Sequence, residues 1–291
     1  MNHPYASKIY ANAFLPEYQP VYLATAKTHI LKRKIPGTEY FDAIGVYPLC
    51  PIAENADLEK DFLDLKKDGI ISLVLVADPF FQPQLEKLQK FFSSVSPYKE
   101  HYLHDFSLNN NYSKHHRYEI KKAVKLCETR RLVLVDHLDE WYMLYRNLME
   151  KHEITGIQGF SRNYFSKICA LDPITFGAFS EGTLISAHIW FEYNGYIYSH
   201  LAASSEIGYQ TSASYAVYAA SLKYFAESGA KTLDLGAGAG ASKASKGLSF
   251  LKKGFSNTSK TCYLCCKILD EEKYMKLSAG KNINYFPAYR R

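Results

Sequence analysis

The stretch Leu233-Asp234-Leu235-Gly236-Ala237-Gly238-Ala239-Gly240 decides how the chain is read. Apolar residues running into alternating glycines describe a strand that ends in a tight turn, where the backbone can approach a bulky polar ligand closely. In a dinucleotide or adenosyl-methionine domain such a loop follows the first strand, and on the order of a hundred residues of further βα units must come after it. Only Ala241 to Arg291 remain here. The stretch is therefore a late strand and turn of an α/β domain, with a methyltransferase kept as a minor alternative.

The residues before it supply the other elements. Ser212 or Ser214 can cap a helix with its body at Tyr215 to Ala226, and Gly229 lies where a left-handed stop is expected. Upstream, Ile174 to Phe179 and Thr183 to Tyr193 are strands joined at Glu181-Gly182, and Asn194-Gly195 signals a hairpin into Tyr196 to Ala202. Ser113 to Cys127 is a helix with Ile120, Ala123, Val124 and Cys127 on one face, followed by a strand at Arg131 to Val135. Leu138 to Lys151 and Arg162 to Cys169 are helical. The first part alternates likewise: strands at Val21 to Thr25, Phe41 to Cys50 and Ile70 to Ala77, and helices at Gln84 to Phe92 and at Asp57 to Lys67 through Leu58, Phe62, Leu63 and Leu65. Two domains are expected, 1–112 and 113–291.

Composition bounds the function. The chain is 47% apolar and 22% charged, as expected of a globular protein with a sizeable core, and its net charge of +6 is spread along it. That balance suits anionic ligands without demanding nucleic acid. The first twenty residues lack the apolar core of a signal peptide and carry Lys8 and Glu17, so a cytoplasmic protein is expected. Its longest uncharged stretch, Gly208 to Leu222, is rich in Ser, Thr and Tyr, so no transmembrane segment is expected. Cys262, Cys265 and Cys266 lie in an apolar strand-like run without a second thiol pair, which favours core packing over zinc. The adjacent His115 and His116 point to different sides of any helix, so no metal site is expected.

Four motifs narrow the reading. They are Phe41-Asp42-Ala43-Ile44-Gly45-Val46-Tyr47-Pro48, the basic helix Arg117-Tyr118-Glu119-Ile120-Lys121-Lys122-Ala123, the strand end Ser199-His200-Leu201-Ala202-Ala203-Ser204, and the glycine strand followed by Gly247 to Phe255 with its Leu251-Lys252-Lys253-Gly254-Phe255 core. In order and spacing they resemble the FemAB-like branch of the GNAT acetyltransferases, which includes peptidoglycan bridge-forming aminoacyltransferases. Leu251 stands where that branch usually has phenylalanine, and the later glycines of the Tyr47 motif are missing. The resemblance implies an α/β (α+β) chain of two tandem GNAT-like domains, each a mixed, mostly antiparallel sheet flanked by helices. It also implies transfer of an acyl or aminoacyl group to an amine, including modification of bacterial cell-envelope precursors.

Such chemistry needs a neutral amine, alignment with a thioester or ester carbonyl, and stabilisation of the developing oxyanion, but no enzyme nucleophile. The resemblance places the donor at Ala203 to Ser214, between parting strands and a helix N-terminus, with Ser204 and Ser212 suited to close backbone approach; a capped surface loop is an equal reading. His200 is the first candidate for proton acceptor, against a structural histidine, and His188 and Glu192 come second. The resemblance makes Lys252 the cation for phosphate or oxyanion, where an isolated lysine reads as a surface residue, and Lys243 and Lys246 add positive charge. Tyr215 is a possible donor of a hydrogen bond, and Tyr47, Arg117, Gly236, Gly238 and Gly240 complete the expected binding set. No tightly bound cofactor is expected. Acyl-CoA or an acyl-carrier protein is the expected donor, with aminoacyl-tRNA as rival, and the acceptor is an amine or amino sugar, for which 24 tyrosines offer stacking surface. A non-catalytic binding protein on the same scaffold is the alternative of a different class.

Overall fold

A computed structural model describes residues 2–109, 112–238, 243–281 and 284–290. The chain forms two compact units, Met1–Lys99 with Thr261–Arg291, and Glu100–Lys260. The sequence division at 112/113 gives the last residues to the second domain, whereas the final strand returns them to the first unit by pairing there.

In the first unit the chain runs through helix α1 (Lys8–Asn12), strands β1 (Gln19–Leu23), β2 (Thr28–Lys34) and β3 (Phe41–Gly45), helix α2 (Leu58–Lys67), strand β4 (Ile70–Val76) and helix α3 (Leu85–Phe91). Strand β5 (Ser94–Asp105) carries it into the second unit. There follow helix α4 (Lys114–Leu126), strand β6 (Glu128–Leu132), helices α5 (Leu138–His152) and α6 (Arg162–Ile168), and strands β7 (Ile174–Ser180), β8 (Thr183–Tyr193) and β9 (Tyr196–Ser204). Helices α7 (Glu206–Gln210) and α8 (Ala213–Glu227), strand β10 (Thr232–Gly236) and helix α9 (Lys243–Phe255) complete that unit; β11 (Thr258–Ile268) leads back, and helix α10 (Glu271–Ser278) closes the chain.

The first unit is built on the order β1-β2-β3-β4-β11, in which only β3 and β4 run parallel. Helix α2 forms as its spacing predicts: Asp57 caps it by accepting from the Lys60 N–H, and Leu58, Phe62 and Leu65 enter the core, while Leu63 is exposed. Buried Asp61 on the same helix accepts from the Thr25 and Ala26 N–H groups and the Thr25 hydroxyl, which ties the β1–β2 turn to α2. Cys265 packs in this core beside Leu73 and Leu75.

The second unit has the order β5-β10-β9-β8-β7-β6, with β10 and β9 the parallel pair. Its hairpins use the expected turns: Glu181 and Gly182, and Asn194 and Gly195, all have positive φ, as does Gly229 behind α8. Helix α8 packs Ala216, Val217, Leu222 and Phe225 against Trp190, Ile197 and Leu233 of the sheet. On α4, Ala123 is buried but Val124 is exposed. The strand expected at Arg131 to Val135 begins three residues earlier, and a short 3-10 turn occupies Leu134–His137. Both units are thus mixed, mostly antiparallel sheets flanked by helices. Among the described residues no helix is long and apolar enough to cross a membrane.

Candidate active site at the end of strand β10

Strand β10 places its glycine turn at a gap in the sheet. Its parallel register with β9 covers only Thr232↔Tyr196, Leu233↔Ile197 and Asp234↔Tyr198, although β9 continues to Ser204. The strands part there for a local reason. The Asp234 carboxylate accepts the Gly236 N–H at 2.7 Å, Gly236 takes φ +74°, and the register with β5 shifts between Asp234 and Gly236. A residue with a side chain resists that backbone conformation. With a parallel neighbour on one side and antiparallel β5 on the other, β10 is not the first strand of a doubly wound nucleotide domain.

Lys252 of α9 reaches this turn and donates to the Ala237 carbonyl at 2.9 Å. A Cβ on Gly236 would lie 3.2 Å from its Nζ, so the glycine also makes room for the ammonium. Helix α9 is held by buried Phe255, whose ring lies 4.9 Å from that of Tyr218, 5.2 Å from His116 and 5.8 Å from Tyr215. Burial and the charge of Lys252 push His188 down to about 3, so its imidazole is neutral. Burial raises Tyr218 to about 12, keeping that phenol a hydrogen-bond donor at neutral pH.

The N-terminus of α8 lies over a small polar cluster. His188 Nε2 is 3.2 Å from Ser214 Oγ, and the hydroxyls of Ser186, Ser204 and Ser214 bond among themselves at 2.8 to 3.4 Å. Ser212 occupies the cap position, but its hydroxyl accepts from no N–H of the helix and donates to the Glu119 carboxylate at 2.6 Å. Lys122 of α4 donates to the Gln210 carbonyl. Helix α4 therefore sets a carboxylate beside the positive end of α8, the place where a donor phosphate is expected.

No family model matches the sequence, and comparison with curated proteins finds no relative. Solved structures do match along nearly the whole chain. FemX superposes with a TM-score of 0.66 over 94% of this chain and 95% of its own, at 14% identity. The L-PGS structure from Bacillus licheniformis gives 0.61 over 92% and 94% at 11% identity, and a conserved protein of unknown function from Bacteroides thetaiotaomicron VPI-5482 gives 0.62 over 91% and 92% at 12% identity. The fold is that of FemX.

On this FemX-like fold the expected site residues separate. Lys252 and Gly236 meet at the β10 turn, which Gly238 follows in sequence, and Ser204 lies in the serine cluster with Ser214 and His188. Tyr215 points its hydroxyl at His115 Nε2, 3.4 Å away, and burial raises its phenol. His200 does not join them. It is buried, bonds through Nε2 to the Tyr164 hydroxyl at 2.9 Å, and its ring lies 5.0 Å from that of Phe191. Phe191 and Trp190 alternate on β8, and Trp190 faces α8, so His200 belongs to the α6 side. Glu192 accepts the Gly195 N–H and serves the hairpin. Arg117 is exposed and donates to the Tyr112 carbonyl. Tyr47 belongs to the first unit, where its carbonyl accepts from the Tyr10 hydroxyl and burial, then Tyr98, raises its phenol to about 12. Lys246 is exposed; Gly240 and the side chain of Lys243 lie outside the described residues.

Several residues at the site escape the sequence reading, Ser186 and Tyr218 among them. Asp234 is inside the quoted stretch but reads there as a strand residue, and Glu119 reads as part of a basic helix. His101 of β5 carries no local signal at all; its Nδ1 lies 2.9 and 3.0 Å from the two Asp234 carboxylate oxygens.

Proposed function

We propose that the protein transfers an acyl or aminoacyl group from a thioester or ester donor to an amine by direct attack, without a covalent enzyme intermediate. One observation carries the reading: the Lys252 ammonium is tethered to Ala237 where β9 and β10 part. A donor carbonyl lodged in that gap would develop its negative charge beside a cation already in place, so little reorganisation is needed as the charge forms. Gly236 keeps side-chain bulk out of the path, and Tyr218, protonated at neutral pH, is a second donor in the same core.

The donor we favour is acyl-CoA or an acyl-carrier-protein thioester, with an amine or amino sugar as acceptor. The Glu119 carboxylate at the head of α8 supports a second reading, an aminoacyl ester on tRNA, because it opposes a diphosphate at that helix end. The test is turnover with acetyl-CoA, an acyl-carrier-protein thioester and aminoacyl-tRNA against a panel of amines, repeated with Lys252→Met. We expect one donor class to react and Lys252→Met to lower kcat by about 100-fold or more with the fold intact. Absence of turnover with every donor would favour a non-catalytic binding protein, and an unchanged Lys252→Met rate would remove Lys252 from the chemistry.

A further inference from the structure

We infer that His101, oriented by Asp234, is the proton acceptor for the attacking amine, on the side of the β10 turn opposite Lys252. The inference rests on the transferase reading above and names a catalytic residue for it.

Strand alternation separates the two flanks of the turn. Leu233 and Leu235 of β10 and Tyr102 of β5 pack into the core beneath α8, together with Phe255 of the helix that carries Lys252. Asp234 lies between the two leucines and His101 precedes Tyr102, so both belong to the other face. There they form a pair with 3% and 9% side-chain exposure. A carboxylate can only accept, so neutral His101 carries its proton on Nδ1 and leaves Nε2 bare. Among the described residues Nε2 bonds to no protein group, and it is not among the polar atoms sealed from solvent, in contrast to His188 Nδ1. A base whose far nitrogen is fixed by a carboxylate and whose near nitrogen is open has the geometry of a general base with its orienting group.

The same carboxylate that orients His101 also holds the turn. Its Oδ1 accepts the Gly236 N–H, and the next residue, Ala237, holds Lys252. Cation and base are thereby both referenced to one turn, through Asp234, Gly236 and Ala237, next to the gap in which the donor carbonyl is proposed to sit. In the step, the amine nitrogen forms the new N–C bond. The donor C–S or C–O bond breaks, and its electron pair leaves on sulfur or oxygen. The proton lost by nitrogen goes to His101 Nε2, and from there to the leaving group or solvent.

Two measurements test this. Diethyl pyrocarbonate labelling read residue by residue by mass spectrometry reports bare, reachable imidazole nitrogens. His101 is expected to label in the wild type and at least about 5-fold more slowly in Asp234→Asn, which keeps an oxygen for the Gly236 N–H, whereas buried His188 and His200 stay unlabelled in both. Equal labelling in Asp234→Asn, or none at His101, overturns the orienting role. On whichever donor gives turnover, His101→Gln is expected to lower kcat by about 100-fold with little change in KM, at an unchanged thermal midpoint. A wild-type rate in His101→Gln overturns this assignment and leaves the transferase reading standing; failure of every donor overturns both.

Discussion

Replacing Gly254 by alanine sets helix propensity against packing, and the structure says which wins. A Cβ at Gly254 would lie 1.9 Å from His116 Nε2, 2.0 Å from Cε1 and 2.4 Å from Cδ2. The ring cannot swing away cheaply. Its Nε2 donates to the Leu251 carbonyl at 3.2 Å, its Nδ1 is 3.0 Å from Ser113 Oγ, and Phe255 and Tyr215 pack against it, each at 5.2 Å. Overpacking costs about 1–3 kcal/mol and the lost hydrogen bond about 1 kcal/mol, against a gain of at most about 1 kcal/mol from replacing glycine within a helix. The balance is a loss of roughly 1–3 kcal/mol, or a fall in Tm of roughly 2–12 °C, measurable by calorimetry or circular dichroism. Because α9 carries Lys252, turnover should fall as well. In a His116→Ala background the same Gly254→Ala change should be neutral or stabilising. An unchanged or higher Tm in Gly254→Ala alone, or a penalty that persists beside His116→Ala, would refute the argument that His116 dictates the glycine.

Other outcomes follow from the same structure. Burial holds His188 and His200 at about 3, below the unfolded value of 6.5, so the unfolded chain takes up protons first as pH falls. Stability is therefore full above about pH 6.5 and is lost on acidification towards 3, at about 1.4 kcal/mol per pH unit for each residue; equal urea midpoints at pH 7 and pH 5 would contradict this. Glu119→Gln removes the negative charge from the head of α8 and should tighten acetyl-CoA binding by about 5- to 30-fold in calorimetry, equivalent to 1–2 kcal/mol after solvent screening of a half-buried group. Unchanged affinity would mean that CoA phosphates do not reach α8. Gly208→Ala would put a Cβ 2.2 Å from the Ile185 carbonyl oxygen, a backbone atom that cannot step aside, and should lower Tm by several degrees; a neutral result would show that α7 is free to shift.

Much of the fold could be read from local rules, and the misses have physical causes. The hairpins at Asn194-Gly195 and Glu181-Gly182 were legible because their turns need positive φ, and α2 and α5 because their apolar spacing matches one helix face. Strand β5 was not. It contains Pro97 and charged residues, and its burial is confined mostly to His101, Leu103 and His104 near one end, so no alternation marks it. The place of His200 beside Tyr164 was not legible for a subtler reason. The β8–β9 register shifts between Ile189 and Trp190, so pairing cannot be extrapolated along β9, and a short strand-end motif carries no trace of such a bulge. Ser212 shows the same limit: as a helix cap it follows the residue rules, but α4 offers its hydroxyl a carboxylate from 93 positions earlier.

The sequence by itself determined where the chain must turn and which residues must be apolar. Gly236 ends its strand in a left-handed turn, Gly229 stops α8, and Phe255 anchors the helix that carries Lys252. Those outcomes depend on φ preferences and on spacings within one element. Only the tertiary structure decided which polar groups meet. It set His101 against Asp234 across 133 residues, Glu119 against Ser212, and Lys252 against the Ala237 carbonyl, while it enclosed His200 beside Tyr164. Such pairings arise from strand order, register and the face on which each side chain emerges, quantities that no local stretch of residues contains.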